Sequence, residues 1–226
     1  VTIAFNWHNE ASNSFFGPAT SLNVGSDSAT GSNGTFTAGD FLLCFVTVYA
    51  NVGTITPPAG WTLIGSQQLA GSLTTGFFYK IAGVSESGSY TFSWTGSNFC
   101  AWGLLNYSGG ASIDASGAGT FDSGGTTNCT AVSISPTGAS DTLIALWVFN
   151  QADAVTAPGD MTQRVNLTQE SGTIVYLACD KVLSASGATG SEVATQATFH
   201  MGAYLMVAIQ LPPSGMTFFC MPMMGA

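Results

Sequence analysis

Positive charge is what this sequence has least of. Its 226 residues hold three basic side chains, Lys80, Arg164 and Lys181, against 12 acidic ones, for a formal net charge of −9 at pH 7. Binding a nucleic-acid backbone requires cations that displace phosphate counterions, and holding to an anionic membrane surface requires the same. Neither is expected of this chain. Charge of either sign is scarce, at 7% of residues where a soluble domain carries about 25%. A helical bundle, built from Glu, Lys, Arg, Leu and Ala, does not fit that composition. Long hydrophobic runs are missing too. The longest, 143–149 and 203–209, are seven residues each, whereas a helical membrane span needs about 20. The five cysteines, Cys44, Cys100, Cys129, Cys179 and Cys220, are widely spaced, with no CxxC pair or Cys/His cluster. Zinc is therefore not expected, and the odd count argues against a complete disulfide framework. Cys44, Cys100 and Cys179 stand in apolar runs and read as small buried hydrophobes. This usage fits a protein that folds in a reducing cytoplasm and works outside it. Val1 follows no signal-like segment and reads as a processed end or the start of a trimmed segment.

What the chain has instead is hydroxyl, amide and glycine. Gly 28, Ser 25 and Thr 27 make up about a third of it. With 46% hydrophobic and 12% aromatic residues it can bury a core, which argues against disorder. Strand signals recur between Gly, Pro, Ser, Asn and Asp, at 41–49, 61–69, 74–82, 89–94, 100–107, 131–135, 142–149, 161–166, 173–182, 192–198 and 203–210. Tyr90, Phe92 and Trp94 alternate with Thr91 and Ser93, the period of two of a half-buried strand. Segments 9–39 and 108–129 read as loops and irregular strands. Many short strands with Gly-rich connections predict an all-β sandwich or barrel. Some strands are apolar on both faces: Phe41, Leu43 and Phe45 line one, Leu42, Cys44 and Val46 the other. One sandwich face needs burial, so the second calls for a cover, either a long loop or a neighbouring subunit.

The two parts of the chain echo each other at an offset near 101 residues. Gly39-Asp40 before one apolar run answers Ser140-Asp141 before the next. Pro57-Pro58-Ala59-Gly60-Trp61-Thr62 answers Ala157-Pro158-Gly159-Asp160-Met161-Thr162. Tyr79-Lys80-Ile81 answers Asp180-Lys181-Val182, and Ala101-Trp102-Gly103-Leu104-Leu105 answers Ala203-Tyr204-Leu205-Met206-Val207. The expected fold is all-β, a jelly-roll-like sandwich of two pseudo-symmetric halves, about 39–107 and 140–211. These halves form one domain, 1–211, with 108–130 crossing between them.

The repeated blocks also carry a resemblance. Pro57-Pro58-Ala59-Gly60-Trp61-Thr62-Leu63-Ile64, Phe78-Tyr79-Lys80-Ile81-Ala82-Gly83, Ser89-Tyr90-Thr91-Phe92-Ser93-Trp94 and the later Asp141-Thr142-Leu143 together resemble a β-sandwich module. That module is common in bacteriophage structural proteins and bacterial surface proteins. The resemblance covers about 39–211 and its motifs are structural. It implies a virion surface or appendage, as a capsid decoration protein, head fibre or tail-fibre module, assembled in the host cytoplasm.

Signs of chemistry are few. His8 lies in a polar N-terminal segment and His200 between strands, and no GxSxG elbow accompanies them. Glu10, Glu86, Glu170 and Glu192 stand in loop-like or edge contexts, with nothing marking a pair of glycosidic carboxylates. No calcium loop, phosphate loop or dinucleotide fingerprint occurs. No catalytic residue, metal or cofactor is expected. Trp94, Trp102 and Trp147 read as core and Trp61 as packing at the end of the sandwich. Trp7 is the candidate for glycan contact. Asn-X-Ser/Thr sequons at Asn33, Asn106, Asn128 and Asn166 matter only in a eukaryotic secretory setting.

The most unusual segment is 212–226, which has no charged side chain. It contains Met216, Phe218, Phe219, Met221, Met223 and Met224, with Pro212, Pro213 and Pro222 opposing a helix. So apolar a tail either folds back on its own sheet or docks on a neighbouring subunit, where Met side chains adapt to an irregular groove. Docking is favoured. The functional expectation is a non-enzymatic virion structural or adhesion protein, partnered by copies of itself (a trimer being one such state), other virion proteins and a host-surface glycan. A secreted or cell-surface carbohydrate-binding module is the alternative.

Overall fold

The structure is a computed structural model describing residues 14–19, 26–32, 36–70, 73–86, 89–108, 112–123, 127–150, 153–168 and 174–210. These residues form seventeen strands and no helix. In chain order the strands are β1 (Ser14–Ala19), β2 (Ser26–Ser32), β3 (Phe41–Val48), β4 (Thr62–Leu63), β5 (Gln68–Ala70), β6 (Leu73–Ile81), β7 (Ser89–Asn98), β8 (Cys100–Tyr107) and β9 (Ser112–Ser116), then β10 (Thr120–Asp122), β11 (Asn128–Ala131), β12 (Thr142–Phe149), β13 (Val155–Thr156), β14 (Thr162–Thr168), β15 (Val175–Val182), β16 (Glu192–Gln196) and β17 (Gly202–Gln210).

Two six-stranded antiparallel sheets dominate. One runs β1-β8-β3-β6-β4, with β5 also on β6; the other runs β10-β17-β12-β15-β14, with β9 also on β17. Their inward faces form one apolar cluster, Phe41, Leu43 and Phe45 of β3 meeting Ile144, Leu146 and Val148 of β12. The Phe45 ring lies 4.5 Å from that of Tyr176 on the facing sheet.

Every residue of β3, β8 and β12 is buried, as strands apolar on both faces require. Their outer faces are covered by two small sheets of the same chain, joined on one side by the long 49–61 connection. Leu42, Cys44, Val46 and Trp102 lie under Ile55, Trp61 and the Tyr90, Phe92 and Trp94 row of β7, and β7 is paired with β2. Leu143, Ala145, Trp147 and Met206 lie under Cys129, Ala131, Val155 and Ala194, carried by the sheet β11-β16-β13. The period of two on β7 and β16 (Glu192, Ala194 and Gln196 buried, Val193 and Thr195 exposed) is that of strands with one face on a core and one in water.

Several sequence boundaries shift. The expected strand 61–69 is split into β4 and β5 around Gly65, whose φ of 65° turns the chain where a strand cannot continue. The expected strand 131–135 ends at Ala131, with its ladder running back to Asn128. Segments 9–39 and 108–129, read as loops and irregular strands, hold β1, β2, β9 and β10. Their pairing partners are distant in sequence, so composition alone underestimates them.

The hydrogen bonds follow the echo in the sequence. Gly39 N–H donates to Ala82 O (2.8 Å) and Ser140 N–H to Leu183 O (3.0 Å). Ala82 N–H donates to Asp40 O and Leu183 N–H to Asp141 O, both at 2.8 Å. Trp61 N–H reaches Pro58 O at 3.2 Å, and Met161 N–H reaches Pro158 O at 3.3 Å. Gly39 has φ 91° and Ser140 φ 84°. The same left-handed turn thus precedes β3 and β12, free of steric cost at Gly39 and strained at Ser140.

Gly103 on β8 stands opposite Phe45 on β3, and a Cβ there would lie 2.4 Å from two atoms of the Phe45 ring. Gly103→Ala is expected to push that ring toward Tyr176 and cost about 1–3 kcal/mol through overpacking. Urea unfolding should show a lower midpoint with unchanged slope.

Candidate functional site

Polar side chains gather in several clusters among the described residues. The first is the connection between β16 and β17. His200 Nε2 lies 2.8 Å from Asp153 Oδ2 and 3.1 Å from Thr198 Oγ1, and Thr198 Oγ1 also donates to Asp153. The elements resemble a hydroxyl–His–carboxylate relay, but a relay needs the hydroxyl on one ring nitrogen and the carboxylate on the other. Here both meet Nε2. The bonds from Thr198, then from His200, hold the Asp153 carboxyl below its ordinary range. The cluster fastens the loop and has no geometry for moving a proton to a nucleophile.

The second lies between the main sheets. Asp180 on β15 accepts from Arg164 Nε at 2.8 Å and from Tyr107 Oη at 3.1 Å. Burial, only partly offset by Arg164 and Tyr107, pushes the Asp180 carboxyl upward. Tyr107 belongs to one sheet and Asp180 to the other, so this is a polar bolt through the core.

The third comprises two lysine clusters. Lys80 Nζ binds Glu86 Oε1 at 2.7 Å and stands 5.5 Å over the Tyr90 ring. Lys181 Nζ lies 2.6 Å from Asp160 Oδ2 and 2.5 Å from Glu192 Oε1. Glu192, expected at an edge or loop, instead opens the central strand of a three-stranded sheet and is 5% exposed. Its negative charge is tolerated there because Lys181 is beside it. With Arg164 on Asp180, every Lys and Arg of the chain is held in an ion pair.

The fourth joins a groove to a pair of carboxylates. The groove, about 420 Å³, lies where β9 and β10 leave a gap along β17; Ser116, Gly117, Thr120, Ser133, Ile134 and Met206 are among its lining residues, none of which is charged. Beside it, Asp114 Oδ1 accepts from Thr137 Oγ1 at 2.7 Å. Asp114 Oδ2 accepts from the N–H of Thr137 and from that of Gly138 at 3.2 Å. Asp141 is 2% exposed, and its Oδ2 is buried without a hydrogen-bond partner. Sequence reading had no means of finding these pairings. Asp114 and Asp141, or Asp153 and His200, lie far apart in sequence, and no motif links the members of either pair.

No group of three His, Cys, Asp or Glu side chains suited to a metal ion occurs among the described residues. Cys44, Cys100, Cys129 and Cys179 are buried, and burial pushes Cys100 and Cys179 up to about 12, so they are inert at neutral pH. Trp61, Trp94, Trp102 and Trp147 are all buried, as their strand contexts require. Asn106 is buried as well, donating to Asp40 Oδ2 at 3.1 Å, and is no acceptor for a glycan. Trp7, His8 and the tail residues Met216, Phe218, Phe219, Met221, Met223 and Met224 lie outside the described residues.

No family model matches the chain, and comparison with curated proteins and with solved structures gives no match.

Proposed function

We propose that the chain is a non-enzymatic structural protein of a virion surface or appendage. In this reading it is a duplicated, jelly-roll-like sandwich that assembles with copies of itself. The observation that carries the non-catalytic part is the use of its charges. All three cations are spent on internal ion pairs, and each polar cluster fastens one segment to another. What remains for the exterior is mainly hydroxyl, amide and glycine, together with the acidic excess that gives the net charge of −9. The duplication is supported by the parallel strand orders β8-β3-β6-β4 and β17-β12-β15-β14 and by the repeated turn bonds. The virion setting rests on the resemblance of the Pro57–Trp61, Tyr79–Gly83 and Tyr90–Trp94 blocks. A carbohydrate-binding module would show a row of exposed rings. Among the residues whose burial is described, Phe99 is the one exposed aromatic, which favours the structural reading.

Because both outer faces are covered by the chain itself, assembly in this proposal rests on the tail 212–226. Light scattering on the full chain should give a discrete oligomer, and on residues 1–211 the mass of a single chain. A truncated protein that assembles like the full chain would remove the tail from the proposal. A full chain that stays monomeric at high concentration would remove self-assembly altogether.

A further inference from the structure

We propose that Asp114 and Asp141 share one proton. Its loss unfastens the 136–138 turn from β9, so that the groove at Ser116 and Ser135 is closed by a proton-controlled clamp.

The geometry carries this. Gly138 touches both carboxylates: its N–H donates to Asp114, and a Cβ on it would lie 2.2 Å from Asp141 Oδ1. The two carboxyl groups thus meet at one glycine, and Asp141 Oδ2 is buried and finds no donor. Two ionised carboxylates meeting there repel, and a buried acceptor without a donor is costly. One proton, carried by Asp141 and donated to Asp114, answers both. Asp114 is the natural acceptor because its three bonds from Thr137 and Gly138 stabilise the charge.

The environment agrees. Burial, then the Asp114 carboxylate, pushes Asp141 up to about 6. The hydroxyl and N–H of Thr137, then Gly138, hold Asp114 down at about 2. Among the described residues, each is the charged group that acts on the other. Lys181, on the neighbouring β15, is turned to Asp160 and Glu192. At the corresponding turn of the first half, Asp40 meets the Thr37 N–H and the Asn106 amide instead of a carboxylate, so the arrangement is particular to this end.

The clamp bears on the groove because it ties its two walls. One wall, at Ser116, continues β9 two residues after Asp114; the other, at Ser135, precedes Thr137 by two. That second wall is independently held from behind: Ile134 N–H donates to Thr189 Oγ1, and Gly187 N–H donates to Pro136 O. When Asp141 loses its proton to solvent, the repulsion falls on the Asp114 side alone. The wall then stays with 187–190 and parts from β9. Asp141 binds its proton more tightly folded than unfolded, so its contribution is present below the ordinary aspartate range and is lost as pH rises through about 6. Asp114 contributes in the opposite sense, losing its part only as pH falls toward about 2.

Carbon-13 NMR of the aspartate carboxyls in the unaltered protein tests the shared proton. Asp141 should titrate near pH 6, with a linked shift at Asp114. Titration of Asp141 in the ordinary range would overturn the proposal. Amide exchange tests the clamp. Relative to Ala145 on β12, protection of Thr137 and Gly138 should fall at least tenfold between pH 5 and pH 7.5. In Asp141→Asn, a neutral donor of the same shape, it should stay constant. Equal loss in both proteins, or none in either, would mean that the pair does not control the turn.

Discussion

Trp147→Ala is expected to lower stability by about 4 kcal/mol, within the 3–5 kcal/mol usual for a buried Trp. Trp147 is fully buried on β12, between Tyr204 of β17 and Leu177 of β15 in register. It is roofed by the small residues Cys129, Ala131 and Ala194. Those residues leave room for the indole, and its loss would leave a cavity beneath them. The indole also does a second job: its Nε1–H donates to Cys129 O at 2.9 Å, fixing the covering sheet to the main one. Trp102, on the other half, is equally buried but its Nε1 has no partner. Replacement by Phe should therefore separate the two. Trp147→Phe loses a hydrogen bond worth about 1 kcal/mol as well as volume, while Trp102→Phe loses volume and a donor that was unsatisfied. Paired urea titrations should place Trp147→Phe below Trp102→Phe; the reverse order would show that the indole bond does not hold the cover.

Arg164→Ala is expected to cost about 3 kcal/mol near pH 7, the low end for removing one partner of a buried ion pair. The low end applies because the Arg164 side chain is 34% exposed, and its partner Asp180 is only 3% exposed. Without the guanidinium, Asp180 keeps the Tyr107 hydroxyl but carries an uncompensated charge between the sheets. For a domain of this length the loss corresponds to a Tm drop of about 6–12 °C. The pH dependence has a definite sign. Burial already raises the Asp180 carboxyl and Arg164 draws it back; removing Arg164 lets it rise further. The variant then binds the proton more tightly folded than unfolded, and its deficit shrinks as pH falls toward the ordinary aspartate range. Adding Asp180→Asn, which removes the charge and still accepts from Tyr107, should recover much of the deficit at pH 7. A double variant no better than Arg164→Ala would mean that lost packing of the Arg stem, and not the stranded carboxylate, was the cause.

Much of the fold was legible because hydrophobic patterning is a local property. The fully apolar runs at β3 and β12, the alternation of Tyr90, Phe92 and Trp94, and the Pro-Gly turns before Trp61 and Met161 each declare strand or turn without reference to distant residues. The strand orders β8-β3-β6-β4 and β17-β12-β15-β14 run in step with the sequence offset of about 101 residues. The weak strands were not legible. β1, β2, β9 and β10 are made of Ser, Gly, Thr and Ala as much as of large apolar residues, and they are strands because a paired neighbour offers them a ladder.

The sites follow the same division. By itself the sequence showed three cations, no apolar run beyond seven residues, no clustered metal-ligand spacing and no GxSxG motif. It determined the all-β class and the burial of Trp61, Trp94, Trp102 and Trp147, since these depend on composition and short-range period. Only the tertiary structure decided what covers the second face of each sheet, because cover is a matter of which distant segment lies across it. It also decided the fate of the charges. Asp180 meets Tyr107 across 73 residues of chain and Asp114 meets Thr137 across 23, and no local pattern encodes either pairing. In a chain with so few charges, placing each one against its partner is the work of the fold, because a buried charge must be matched from whatever segment the packing brings to it.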